Sequence, residues 1–490
     1  MNTKSHNKLV LNVIMGLALN GLCLGKALAL SSDSSEFQAN YVSESLFQLS
    51  GGHTFPNGAW CWFQDPRAII DTGAHQGPLL LVSSFSAREK SQYAARNWGE
   101  NIHPWAKGDN DLYWLNLASG EKGQVKVHQG LTQDDHNVAA IHQRSDGRYI
   151  IAYADHGYEP VTYFRVSERP HDPTTWQPVT QFEHADTVTY SNLYQAVDTS
   201  NKPLLLNFNR SVGFDPNVMI SANEGRTWSY GGQLLGGPGR PYVRYAQGAG
   251  RVHFLASDQH PRVFDNSIYH GTTDGTSIFA SNGALIDEDI SDENFIEPHQ
   301  LTVIHRGKPS AVGWGVDIEV TDDGLPYAIY SVQKNNQERE MLPGLDHRYV
   351  YAHFDGELWH TEEVAYAGTA LYEYEQDYTG LAALDPNDPN IMVISTNANP
   401  DTGEPLISQA DGKRHWELFL GKRNNNAQWS WRPITFNSTQ DNIRPIIPKW
   451  DTQENTHPAK RVVLWMRGTY TSYTEYDTQI VGVIQQRESQ

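Results

Sequence analysis

The chain has 490 residues, 39% of them hydrophobic, and a formal net charge of −20. Its 57 acidic residues against 37 basic ones argue against general nucleic-acid binding. Of the two cysteines only Cys61 lies past residue 29, so a mature chain has neither an intrachain disulfide nor a two-cysteine metal site.

Residues 1–29 carry Lys4 and Lys8, the apolar stretch LVLNVIMGLALNGLCLG and the small-residue end Ala27-Leu28-Ala29. This is the pattern of a secretory signal, cleaved after Ala29. Leu22 precedes Cys23 where a lipoprotein signal carries a small residue, which argues against lipidation. No later stretch is long and apolar enough to span a membrane. The expectation is a soluble protein exported to the periplasm or the medium. Loss of the signal leaves 34 basic and 57 acidic residues, a net charge of −23.

From there on, strand-turn-strand units follow one another. They are PRAIIDTGAHQGPLLLVSSFS, HNVAAIHQRSDGRYIIAYADH, YSNLYQAVDTSNKPLLLNFNR, PYVRYAQGAGRVHFLAS, VGWGVDIEVTDDGLPYAIYSVQ, YTGLAALDPNDPNIMVISTN and IRPIIPKW…RVVLWMRGTY. Each pairs two apolar runs across a turn signal, as a β-hairpin does. Outer strands show in DLYWLNLASGE, HRYVYAHFDGELWH and HWELFLGKR. No linker, charge block or amphipathic helix divides the chain. The reading is an all-β, seven-bladed propeller of four-stranded antiparallel blades, a single domain over residues 30–490. Ser221-Ala-Asn223-Glu-Gly225-Arg-Thr227-Trp228 has the form of an Asp box, a turn between outer strands whose Trp packs between blades. The segment around YVSESLFQL is expected to add an outer strand to the last blade and close the ring.

Two residue pairs share a spacing of 20: His136 with His156, and Tyr190 with Arg210. The midpoint of the first is Asp146, within Ser145-Asp146-Gly147, and that of the second is Ser200, beside Asn201; both are turn formers. Each pair therefore sits at the open end of a hairpin, its members facing each other about 5 Å apart. The hairpins start 54 residues apart, one repeat, so all four side chains are expected on one rim. Any one of them has an ordinary structural explanation. Two imidazoles, a phenol and a guanidinium with no carboxylate in the matched positions suit a polyanionic substrate and proton transfer.

AWCWFQDPRAI, DDHNVAAI…YADH, VTYSN…R and LWMRGTYTSYTEY together resemble the BNR-repeat propellers that include the ulvan lyases of polysaccharide lyase families 24 and 25. The resemblance covers essentially the whole mature chain. It implies cleavage between a sulfated rhamnose and a uronic acid, glucuronate or iduronate, by β-elimination, giving a 4,5-unsaturated uronate. It maps the family's catalytic His, His, Tyr and Arg onto His136, His156, Tyr190 and Arg210. A further substrate-contacting Tyr matches Tyr242 best, with Tyr245 also open. The chemistry requires no cofactor, although several relatives are expected to hold a structural metal, calcium or zinc; its ligands are unassigned here. The implied partner is an anionic sulfated polysaccharide, and nothing demands more than a monomer.

Within that reading Arg210 and His156 neutralise the uronate carboxylate, while Tyr190 and His136 transfer protons, with the division between them open. A nearby guanidinium favours phenolate, the direction a Tyr base needs. Tyr242 and Arg244 alternate on one strand face and are candidates for neighbouring sugars or sulfates. Trp62, Arg67, Tyr378, Arg444 and Arg467 lie near inner-strand ends and read as structural. The DPNDPN run, Asp385 to Asn390, reads as a turn. Rival readings are a sialidase-type hydrolase, a lyase for another uronate polymer and a non-catalytic carbohydrate-binding propeller. Fold alone does not separate them.

Overall fold

The apolar runs fold as hairpins, and those hairpins are the inner halves of seven antiparallel sheets. The computed structural model describes residues 47–50, 57–87, 107–292, 294–334, 344–373, 375–450 and 459–486; the expected signal segment, residues 1–29, lies outside them. The inner pairs, blades 1 to 7 in order, are Ala68–Asp71 with Leu79–Ala87, Ala140–Gln143 with Tyr149–Ala154, Thr189–Val197 with Pro203–Arg210, Val243–Gly248 with Arg251–Ser257, Val312–Val320 with Pro326–Gln333, Ala382–Leu384 with Ile391–Thr396, and Asp441–Ile446 with Ala459–Ser472. Helix is limited among the described residues to three short 3-10 turns. The protein is a seven-bladed propeller with four antiparallel strands in six blades. Blade 4 departs from the pattern: it carries six strands, the last of which, Thr302–His305, pairs back onto Ile268–Thr273.

Turn chemistry fixes the registers that matter. In blade 2, Gly147 takes φ 78° and Asp146 accepts the Arg148 amide at 3.1 Å. In blade 3, Asn201 takes φ 60° and the Asp198 carboxylate accepts the Ser200 and Lys202 amides, each at 2.8 Å. These are the left-handed and Asx-type conformations that such residues adopt at low cost. The Asp box joins the two outer strands of blade 3, with the Gly225 amide donating to Ser221 Oγ at 2.8 Å. Gly225 has φ 80°, and a Cβ there would lie 2.2 Å from Ile150 of the neighbouring blade, so only glycine fits. Trp228 stacks on Phe164 of blade 2 at 4.7 Å, which ties blades 2 and 3 together.

The ring closes between its two chain ends. Phe47–Gln48 pairs with Val481 and Gly482 as the outermost strand of blade 7, so the last sheet is completed by the first described residues. The segment from Ala59 to Asp65 then runs across the centre. Ala59 pairs with Phe85 of blade 1, Asn192 of blade 3 donates to the Phe63 carbonyl at 3.1 Å, and Arg444 of blade 7 donates to the Trp60 carbonyl at 2.6 Å. Trp62 and Phe63 are buried in a cluster with Tyr190, Trp314 and Leu381, residues of blades 3, 5 and 6. This crossing segment forms the floor of the site described next.

Candidate active site

The residues opening blades 2 and 3 are brought together. His136 lies in the 3-10 turn Asp135–Asn137, immediately before the inner strand of blade 2, and His156 lies two residues past the second strand. Their rings stack with centroids 4.2 Å apart, and the Tyr190 ring lies 5.6 Å from His136 and 6.0 Å from His156. The Arg210 guanidinium carbon is 5.5 Å from the Tyr190 ring centre and 4.3 Å from that of Tyr242. Five of the residues singled out in the sequence thus share one site.

One register expectation is corrected. Thr189, not Tyr190, is the ladder partner of Arg210, because the strand bulges between Thr189 and Asn192 and Tyr190 takes φ 64°. A left-handed tyrosine costs on the order of 1–3 kcal/mol, a strain found where a side chain must be aimed. The bulge turns the phenol toward the histidines, and it frees Thr189 Oγ1 to hydrogen-bond His156 Nδ1.

Each group is held by named partners. Asp134 caps the 3-10 turn, accepting the His136 amide at 2.9 Å and sitting 2.6 Å from His136 Nδ1. Burial by itself would discharge His136, but Cys61, Asp134 and Tyr190 together hold it well above the usual histidine range. Gln64 of the crossing segment donates to the His136 carbonyl, and the Asn137 side chain accepts the His156 amide at 2.7 Å. Tyr473, at the tip of the last blade's hairpin, packs edge-on to His136 at 5.1 Å, and its carbonyl accepts the Asp135 amide. Burial, reinforced by Tyr242, pushes the Tyr190 phenol above its ordinary value, and His136 and Arg210 only partly oppose this. In these surroundings the phenol is neutral, contrary to the direction expected from the guanidinium alone.

Tyr242 faces the site, packed against Phe63, Trp314 and His260. Arg244 and Tyr245 do not. Arg244 is 4% exposed and clamped between Asp65 at 2.7 Å and Asp317 at 3.1 Å, so its charge is already spent on a strut between blades. Tyr245 stacks on Phe208 at 4.4 Å in the core between blades 3 and 4, and its carbonyl accepts the Tyr194 hydroxyl. Arg67 and Arg444 are buried struts: Arg67 bonds the Cys61 carbonyl, and Arg444 pairs with Asp135 at 2.6 Å.

Sequence reasoning missed the opposite wall. His260 hydrogen-bonds Tyr378 at 3.0 Å, and Glu375 receives Arg262 at 3.0 Å. Burial raises Glu375 to about 7, against the pull of Arg262, and burial with the surrounding Arg262, Arg240 and Arg210 lowers His260 to about 3. Arg240 is exposed, its guanidinium 5.7 Å from the Phe214 ring and 6.0 Å from that of Tyr242, the two rings Arg210 also approaches. These residues come from loops far apart in sequence; Tyr378 reads in the sequence as structural, and Asp134, in the cap position before His136, and Tyr473, within TSYTEY, sat in motifs already noticed.

Two side-chain triads could offer metal ligands within 4.8 Å: Cys61, Asp135 and His136, or Asp134, His136 and His156. The donor set fits a metal poorly. Asp135 is already neutralised by Arg444 and accepts the Tyr470 hydroxyl at 2.7 Å, while Asp134 is engaged by His136. No step below passes through a metal.

The site thus sets an imidazole pair, a phenol and a guanidinium at one mouth of a seven-bladed propeller. The chain belongs to the BNR repeat-containing family, whose model matches residues 106–367. Among solved structures it is similar to an ulvan lyase of polysaccharide lyase family 25, at 12% identity and a TM-score of 0.57, covering 90% of this chain and 96% of that one. The same figures hold for that lyase type bound to -[GlcA(1-4)Rha3S]-. A lectin from Burkholderia pseudomallei aligns at 9% identity and a TM-score of 0.48, over 86% of this chain and 97% of the lectin. No curated protein sequence matches the chain. The lyase likenesses establish the propeller fold.

Proposed function

We propose that the protein is a polysaccharide lyase that cleaves ulvan between a sulfated rhamnose and a uronic acid by β-elimination. The observation that carries this reading is Arg210. Its guanidinium is 3% exposed and donates to the Pro241 carbonyl; among the described residues it makes no ion pair, and the nearest acidic influence is Asp215, which it shares with Arg240. A buried cation without a directly paired carboxylate is costly, and a substrate carboxylate supplies one beside the phenol and both imidazoles.

The reaction then follows from the positions. Arg210 and His156 bind the uronate carboxylate, so that charge leaving C5 is accommodated there, as in an oxyanion hole. Tyr190, in its phenolate form, takes the C5 proton. The C4–O4 bond breaks as the C4=C5 double bond forms, and the His136 imidazolium delivers its proton to O4. Tyr242 packs against the sugar, and Arg240 and Arg262 continue the cationic path toward neighbouring anionic groups. Export after loss of residues 1–29 and action as a monomer belong to the same proposal.

A sialidase-type hydrolase is disfavoured because the strongest charge influences on Tyr190 among the described residues come from Tyr242, His136, Arg210 and Cys61, none of them a carboxylate. Incubation with ulvan and other uronate polymers decides the matter. The expected result is ultraviolet absorbance from the unsaturated product. New reducing ends without that absorbance mean hydrolysis, and binding with neither signal means a non-catalytic module.

A further inference from the structure

A second opening lies away from the histidines. A cavity of about 170 Å³ lies between blades 2 and 3, lined by His142, Gln143, Arg144, Gln195, Leu204 and Glu224 among others. It sits at the other end of the strands that carry the site. Pro203, on its wall, begins the strand that Arg210 ends, a separation of roughly 20 Å at about 3.3 Å per residue. By contrast, the space behind Tyr190 and Arg210 is about 20 Å³.

The polar groups on this wall are not used up by the protein. The Arg144 side chain is 5% exposed; Nη2 reaches Asp146 at 3.2 Å, but Nε is buried without a hydrogen-bond partner, 3.9 Å from Glu224 Oε2. Glu224 spends its other oxygen on the Ser145 amide at 3.0 Å. Burial, helped by Arg144 and opposed by Glu224, lowers His142 to about 4, so its ring is a neutral donor and acceptor. No hydrogen bond among the described residues holds the side chain of His142 or Gln195. A buried donor left unpaired keeps its full desolvation penalty, which an incoming oxygen relieves.

We propose that this inter-blade cavity is a second carbohydrate site, non-catalytic and selective for one neutral pyranose ring. Neighbouring hydroxyls bridge Arg144 Nε and Glu224, His142 and Gln195 bond the others, and a C–H face lies on Pro203 and Leu204. Size supports a single ring, because the volume falls below the roughly 300 Å³ at which pockets begin to hold drug-sized ligands. Charge supports a neutral one, because Glu224 and Asp146 are balanced by Arg144 and by Arg148, which pairs with Asp146 at 3.0 Å. Its function would be to hold polymer or cell-wall glycan at the face away from the cut, and it does not depend on which reaction the site catalyses.

The test is saturation-transfer NMR on the whole protein with L-rhamnose, D-xylose, D-glucose and D-galactose. Transfer to at least one sugar is expected, retained in Arg210→Ala, and weakened roughly tenfold, the scale of one or two lost hydrogen bonds, in both Glu224→Gln and the cavity-filling Gln195→Phe. Circular dichroism and the melting temperature show that the variants are folded. Absence of transfer from all four sugars overturns the proposal. So does transfer that survives in both cavity variants, or that disappears in Arg210→Ala, which would place the sugar in the groove of the histidines.

Discussion

The imidazoles of His136 and His156 stack at 4.2 Å, while Asp134 holds His136 from behind at 2.6 Å. Because that carboxylate favours the imidazolium, His136 enters the proposed reaction as a proton donor. With the Tyr190 phenol above its ordinary value, the competent pair of phenolate and imidazolium is a minor form of the singly protonated pair. That form becomes populated as the pair loses its first proton, so the acid limb of kcat/KM follows His136. In Asp134→Asn the His136 pKa falls toward its ordinary value, and the acid limb moves to lower pH. A pH–rate series on both proteins checks this; an unmoved limb assigns it to another group.

Replacing Tyr190 with Phe removes the proton-transfer group and leaves the ring packing against Phe63. Turnover should fall about 10²–10⁴-fold, the usual range for a general acid or base, with polymer affinity nearly unchanged. Product absorbance and affinity electrophoresis measure the two quantities separately. Near-normal turnover takes Tyr190 out of the reaction.

The seven inner hairpins were legible because apolar alternation and turn residues are local signals. The meeting of His136, His156, Tyr190 and Arg210 followed from equal spacing across those turns. What was not legible depended on partners remote in sequence. Arg244 lies on an alternating strand face like a ligand-binding residue, yet its counter-charges, Asp65 and Asp317, come from the crossing segment and from blade 5. The bulge at Tyr190 was hidden because tyrosine carries no signal for positive φ. Glu375, His260 and Arg262 meet only once blades 4 and 6 are placed around the ring.

Arg210 and Arg244 are both buried, and their removal should fail in different ways. Arg210→Ala takes away the carboxylate's partner and should lower kcat/KM by about 10²–10³-fold, the scale of one lost oxyanion donor, with little change in melting temperature. Arg244→Ala leaves Asp65 and Asp317 buried without their cation and should cost about 3–5 kcal/mol of stability. Denaturant unfolding together with kinetics separates the pair. Equal stability losses would make Arg210 structural.

Arg240 offers the sharpest test of how the cationic path is used. It is exposed beside Phe214 and Tyr242, away from the stacked histidines, so Arg240→Gln removes attraction without touching the proton-transfer groups. KM for the polymer should rise while kcat stays near the wild-type value, the signature of binding lost equally in ground and transition states. The KM difference between wild type and variant should also shrink as salt is added, because an exposed charge is screened within about 10 Å at 0.1 M ionic strength. Steady-state kinetics over a salt series measures both effects. A fall in kcat instead would move Arg240 from the path along which the chain binds to the reacting sugar itself.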